Sequence, residues 1–315
     1  MKSRSVFMKK VFIGFMLFTS LLVAESNYDK VREYAKKGDD RKVLEYLIRS
    51  ANANHTQAQN DLGVYYMVQT KDKNPDFLKA HKWLSRASKA GHADAINNLG
   101  VLYFKGYGVN QDMKRAILLF KKAGLQGSTL ALFSLGKIYL QKKKYKVAIN
   151  WFKKAAENGH KDSQNTIGLI YLSGKITKKD YKKAFYWIKK VADSGDAVAE
   201  NNIGIFYLNG YGVKQNGTKA IKWFKKSASR DYYVAQNNII MYYLAKKNYS
   251  VAYKMALKYA KAQNPTAGYL LAVLYIKGDG VKKSSSKAIY WLKKSANKGH
   301  NKAKVLLFDL QNGKN

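Results

Sequence analysis

Cysteine is absent from the 315 residues, so neither a disulfide nor lipid attachment at a cysteine is available, and packing alone must hold the chain together. Acidic residues are scarce: 20 Asp and Glu stand against 58 Lys and Arg, for a net charge of +38. Those 20 are scattered, and no motif nominates a general acid and a base. After the first 26 residues no apolar run approaches the roughly 20 residues a membrane span needs.

What is present is ample material for a core, 46% apolar with 13% aromatic residues, which argues against disorder. Residues 1–26 have the three parts of a secretory signal: basic Lys2, Arg4, Lys9 and Lys10, an apolar run from Val11 to Ala24, then small residues. Cleavage after Ala24 or Ser26 is expected, leaving no transmembrane anchor and a periplasmic or secreted protein. Export sets nucleic acid aside as a partner and leaves envelope or host-surface polyanions for the positive charge. Lys outnumbers Arg 51 to 7, and Lys is the less specific of the two at bidentate phosphate sites. A solvated, lysine-biased surface therefore stands as an equal reading.

Aligned on itself, the chain repeats, with units opening at Ser26, Ala58, Ala95, Ala131, Ser163, Ala199, Ala235 and Ala267 and a last partial unit from Ala303. Unit lengths alternate among 32, 36 and 37 residues, the short ones lacking four residues between two helical patterns. The first pattern, as in Ala95 to Tyr103, places small or apolar residues at steps 0, +4, +5 and +8; the second, as in Ala220 to Ala228, at 0, +3, +4, +7 and +8. Each is one face of a helix too short to be stable alone, so neighbouring pairs must stack. The expected fold is all-α: an α/α superhelical solenoid of eight helix-pair repeats over 27–302, closed by a C-terminal capping helix and tail at 303–315. Glycines between the helices, Gly106 and Gly108, Gly210 and Gly212, Gly278 and Gly280, follow a helix rather than a strand and recur once per unit. They are read as turn formers, not as a phosphate cradle.

The pattern A-x-x-x-L-G-x-x-Y-x-x-G-x-G-V followed by K-A-x-x-W-[FY]-x-K-[AS]-A-x-x-G resembles the Sel-one-like repeat, a relative of the tetratricopeptide repeat, over essentially the whole mature chain. The resemblance implies a scaffold or adaptor for protein partners, with first helices lining a concave side, and no common chemistry. Some cysteine-rich members are described as penicillin-binding or β-lactamase-like, which makes a serine hydrolase the alternative. S-x-x-K occurs at Ser134/Lys137, Ser284/Lys287 and Ser295/Lys298, but the abundance of serine and lysine produces about three such matches by chance. No K-[ST]-G exists, and Ser295-Ala-Asn297 reuses a serine already assigned. No catalytic residue, cofactor or metal site is nominated.

Four columns remain. All five tryptophans, Trp83, Trp151, Trp187, Trp223 and Trp291, stand three residues into the second helix and read as core. His55, His92, His160 and His300 each follow the end of a second helix; as separate-repeat neighbours roughly 10 Å apart they cannot share a metal and read as cap-associated. A basic column runs through Arg49, Arg86, Lys122, Lys154, Lys190, Lys226, Lys258 and Lys294, a charge ridge late in the second helix. The candidate partner-binding strip is Asn97, Asn98, Asn165, Asn201, Asn202, Asn237 and Asn238, in register with Asn60. Short amides there suit either an extended peptide or hydrogen bonding between repeats. On the peptide reading, replacing Asn201, Asn202, Asn237 and Asn238 together weakens capture with little change in melting temperature. The unit at 235–266 departs most, with Ile240 for glycine, Met255 for tryptophan and Gln263 for the terminal glycine, through drift, a bend or a special contact.

The function this supports is a secreted or periplasmic scaffold that binds a protein or peptide along its concave surface. A penicillin-binding or β-lactamase-like hydrolase is the first alternative and an electrostatic binder of envelope polyanions the second. A monomer is expected.

Overall fold

The computed structural model describes residues 22–68 and 74–312, which form seventeen helices and, among the described residues, no strand. Helix α1 covers 22–37. The others are α2 Asp40–Asn52, α3 Thr56–Met67, α4 Phe77–Lys89, α5 Ala93–Lys105, α6 Met113–Leu125, α7 Thr129–Gln141, α8 Tyr145–Glu157, α9 Lys161–Ser173, α10 Tyr181–Asp193, α11 Ala197–Asn209, α12 Gly217–Ala228, α13 Tyr233–Ala245, α14 Tyr249–Lys261, α15 Pro265–Lys277, α16 Ser285–Asn297 and α17 Asn301–Gln311. Odd helices are first helices and even ones second helices, giving eight pairs and one further helix. The chain divides within α9 into two compact units, Met1–Ser163 and Gln164–Asn315, and within each unit consecutive helices pack on one another. The fold is an all-α solenoid of helix pairs.

Local chemistry sets each boundary. Seven of the eight second helices start at a polar residue whose side chain accepts from the N–H three residues on, Asp39, Asp76, Asp112, Asp180, Asn216, Asn248 and Ser284, while α8 follows Lys144 without a side-chain cap. The backbone N–H of Lys79 on Asp76, and that of Lys183 on Asp180, hold these exposed carboxyls below their ordinary range. Three first helices stop at Gly106, Gly210 and Gly278 in the left-handed region, as the repeat pattern predicts.

Within a pair, a glycine at step +5 of the unit, midway along the first helix, lets a large side chain of the second come against its backbone. A Cβ on Gly204 would stand 2.5 Å from the Phe224 ring, and one on Gly136 2.5 Å from Phe152. Phe120, Phe152 and Phe224 are accordingly buried. In the divergent repeat the volumes are exchanged: Ile240 takes the glycine's place and Ala256 that of the large partner, both fully buried. The departure of 235–266 is thus partly a compensated repacking.

Between pairs, the longer loops act as seats. Gly212 lies so close to the start of the preceding second helix that a Cβ would stand 2.5 Å from the Tyr181 carbonyl oxygen, and Tyr211 stacks on Tyr181 at 4.7 Å. Gly108 meets Phe77, and Gly280 meets Tyr249, in the same way. The 32-residue repeats have no such loop.

Of the expected signal, residues 1–21 lie outside the described residues, while 22–26 are helical. Ala24 is 2% exposed and its carbonyl accepts from Ser50 Oγ at 2.7 Å. The same stitch joins Ser227 Oγ to the Ala197 carbonyl and Ser295 Oγ to that of Pro265. Ala24 therefore holds the place of a first helical residue in the repeat. Cleavage after Ser26 would remove both this acceptor and Glu25, whose carboxylate meets His55 Nε2 at 3.0 Å.

Candidate functional site

The asparagine column lies largely between repeats. Asn98 donates to Asn60 Oδ1 at 3.2 Å, Asn238 to Asn201 Oδ1 at 2.8 Å, and Asn264 to Asn237 Oδ1 at 3.0 Å. In the first of these registers Tyr28 takes the asparagine's place and donates to Asp61 at 2.6 Å. Asn97 and Asn201 are buried, so a direct contact with a partner falls to the half-buried Asn98, Asn165, Asn202, Asn237 and Asn238. The expectation that replacing Asn201, Asn202, Asn237 and Asn238 leaves the melting temperature nearly unchanged is corrected, because Asn201, Asn237 and Asn238 each join adjacent repeats. Asn97 Oδ1 is buried with no hydrogen-bond partner; in the next repeat the donor position is held by Ser134, shorter than an asparagine.

One turn further along the first helices is a feature the sequence reading missed. At step +6 stand Val64, Leu169 and Met241, exposed, and Val101, Ile205 and Val273, half-buried, with Arg32 and Lys137 in the two remaining repeats. Steps +2, +3 and +6 share a helical face, so apolar side chains border the amides. In the N-terminal unit this face opens into a cleft of about 260 Å³ between α5 and α7, lined by Val101, Phe104, Lys105, Ser134, Lys137 and Ile138.

On the second helices the tryptophan and basic columns prove to be one device. Arg86 lies over Trp83 at 4.8 Å, Lys154 over Trp151 at 4.9 Å, Lys190 over Trp187 at 5.2 Å, Lys226 over Trp223 at 4.5 Å and Lys294 over Trp291 at 5.5 Å. The cause is the i, i+3 spacing, worth roughly 0.5–1 kcal/mol per exposed pair. Lys258 lies over Tyr259 at 5.6 Å, and Lys122, followed back three residues, meets Leu119 in the tryptophan position. Trp83, Trp187 and Trp291 are buried as expected, but Trp151 and Trp223 are only half-buried.

The four histidines are N-caps of first helices. The backbone N–H groups of Ala58, Ala95, Ser163 and Ala303 donate to Nδ1 of His55, His92, His160 and His300 at 3.1, 3.3, 3.2 and 3.1 Å. Other repeats use Ser128, Asp196 and Asn264 for the same bond. An accepting Nδ1 requires a neutral ring. For His300, stacked on Tyr269, burial first and the Lys302 charge second hold the pKa below the ordinary histidine value. A depressed folded pKa contributes stability that is complete above the unfolded value of about 6.5 and is lost as pH falls through the folded one. The melting temperature is therefore expected to drop between pH 7.5 and 5, and His300→Asn to flatten that drop; superimposable pH profiles would refute the assignment.

The serine candidates are dispersed. Ser295 is buried in the stitch to Pro265, and Ser284 Oγ accepts from the Lys287 N–H as a helix cap. Ser134 and Lys137 line one cleft, but Lys137 Nζ lies over the Phe133 ring at 5.7 Å. Among the described residues no group of three or more metal-ligating side chains converges, and no helix is long and apolar enough to cross a membrane.

Stacked helix pairs with small residues at most crossings and a side-chain cap at most joints define a tetratricopeptide-like α/α repeat protein. Sel1 repeats match at residues 56–92, 93–128, 130–160, 161–196, 197–232 and 265–300, and the chain belongs to the Sel1 repeat family. The first pair and residues 233–264, nearly all of the divergent repeat, fall outside these matches. A crystal structure of a protective antigen present in uropathogenic Escherichia coli strains, displaying an SLR fold, is 31% identical with a TM-score of 0.67, over 84% of this chain and 59% of that one. A Sel1 repeat protein from Oxalobacter formigenes is 27% identical with a TM-score of 0.62, over 91% of this chain and 87% of that one. This chain thus spans about three-fifths of the E. coli antigen's length.

Proposed function

We propose that this Sel1 repeat solenoid, of a family whose members are generally protein–protein interaction scaffolds and typically not enzymes, is exported, periplasmic or secreted, and binds an extended protein segment along the first-helix side, concave in the resembled superhelix. The supporting observation is the row of step +6 positions within each unit, where Val64 in the N-terminal unit and Leu169 and Met241 in the C-terminal unit are exposed beside half-buried amides. Apolar contacts supply the affinity there, and the amides pair with a backbone.

Because the row is exposed, Val64→Glu, Leu169→Glu and Met241→Glu together should leave the melting temperature within a few degrees. The same triple variant should lose most proteins captured from the exported fraction of the native cells. An unchanged set of captured proteins would overturn the assignment of the face. For the hydrolase alternative, turnover of a chromogenic β-lactam that disappears in Ser134→Ala would decide in its favour.

A further inference from the structure

Two clefts on the second-helix side occupy equivalent places in the repeat. In the N-terminal unit a cleft of about 490 Å³ lies between α6 and α8, with Trp151, Leu125 and Leu132 as apolar surface and Lys121, Lys154 and Glu157 at its rim. In the C-terminal unit one of about 470 Å³ lies between α12 and α14, with Met255 and Tyr259 in the apolar role and Lys225, Lys258 and Asp231 at the rim. Lys121 corresponds to Lys225, Trp151 to Met255 and Lys154 to Lys258 in the repeat register. Both clefts precede a 32-residue repeat, 131–162 or 235–266, where no glycine loop seats on the second helix before it. The corresponding place at the joint before the seated, 36-residue repeat at 267 encloses about 20 Å³.

The chemistry of the two is alike. Leu125 is 90% exposed and Trp151 half-buried, an apolar surface left open to water. Lys154 lies over the indole at 4.9 Å, so a cation already stands at the edge of that surface. Glu157 is paired with Lys153 at 3.6 Å, and Lys121, Lys154, Lys225 and Lys258 have no carboxylate partner within ion-pair distance among the described residues.

We propose that these two clefts bind acidic protein segments, each seating an apolar side chain on the Trp151 or Met255 surface with flanking carboxylates on the two lysines. A bare polyanion would satisfy the lysines and leave the apolar surface wet. A neutral peptide would do the reverse. The segment that satisfies both is an aromatic or aliphatic residue between acids. This site is separate from the first-helix face and does not depend on it.

The test is calorimetric titration of the full mature chain with the peptide Asp-Glu-Phe-Glu-Asp, with its Phe-to-Ala version, and with Asn-Gln-Phe-Gln-Asn. Two sites per chain are expected for the first peptide, and binding by the other two weaker by about tenfold or more. K121E/K154E and K225E/K258E should each leave one site, and the combined variant none. K82E/K190E, the same charge change outside both clefts, should keep two. All are exposed positions, and melting curves verify folding. Equal binding of the alanine peptide would show a polyanion surface instead. Equal weakening by K82E/K190E, an unchanged stoichiometry in the cleft variants, or no binding of the first peptide would each overturn the proposal.

Discussion

Phe224→Ala is expected to lower the unfolding free energy by about 3–5 kcal/mol, the range for emptying a fully buried aromatic position, and the melting temperature by on the order of 10 °C. The ring is 0% exposed and lies directly over Gly204. Gly204→Ala alone costs about 1–3 kcal/mol, since its Cβ would stand 2.5 Å from Phe224 Cδ1. In the double variant the methyl enters space the ring has left, so the two losses combine to less than their sum by about 1 kcal/mol or more. Denaturant unfolding of the four proteins measures this coupling. Strict additivity would show that the glycine answers to something other than the ring. The pair Ile240 and Ala256, already exchanged within this chain, is the reason to expect compensation.

Gly212→Ala should be among the costliest of the loop glycine changes, at about 3 kcal/mol or more. Two effects add: its φ of 67° charges any Cβ about 1–2 kcal/mol, and the added atom meets the Tyr181 carbonyl, backbone that cannot swing aside. Gly299→Ala is the matched control. Its φ is 86° but a Cβ there would meet nothing within 4 Å, so only the dihedral cost of about 1 kcal/mol remains. Melting curves of the two variants should differ by several degrees; equal losses would mean that Gly212 serves the turn alone and seats nothing.

Periodicity made the helix pairs legible because each depends on spacing along one chain. The glycine loops, the second-helix register and the cap position of the histidines could all be read from it. Roles that depend on what lies across a joint could not. The asparagine column suited a peptide and hydrogen bonding between repeats equally, yet Tyr28 and Phe133 share it, a mixture that marks contact with the next repeat rather than a uniform surface. Phe133 packs against the cap His160 at 4.9 Å, as Tyr28 does against His55 at 4.4 Å. The lysine–indole pairing was available in the i, i+3 spacing but hidden by reading the two columns separately. The clefts had no local signal beyond the four missing residues of the short repeats, whose effect falls on the preceding helix.

Those missing residues also bear on how the chain responds to force. A seated loop ties its repeat to the preceding second helix, α4, α10 or α14, by backbone contact as well as by side chains. The joints at 131 and 235 lack the tie, one in each compact unit. Under tension or local thermal opening each unit has a preset place to part, and amide exchange at the facing ends of α6 and α8, and of α12 and α14, would register it before the rest. The repeat that seems merely shortened is in this sense a joint of greater compliance, at which an otherwise tightly keyed stack can flex without losing its fold.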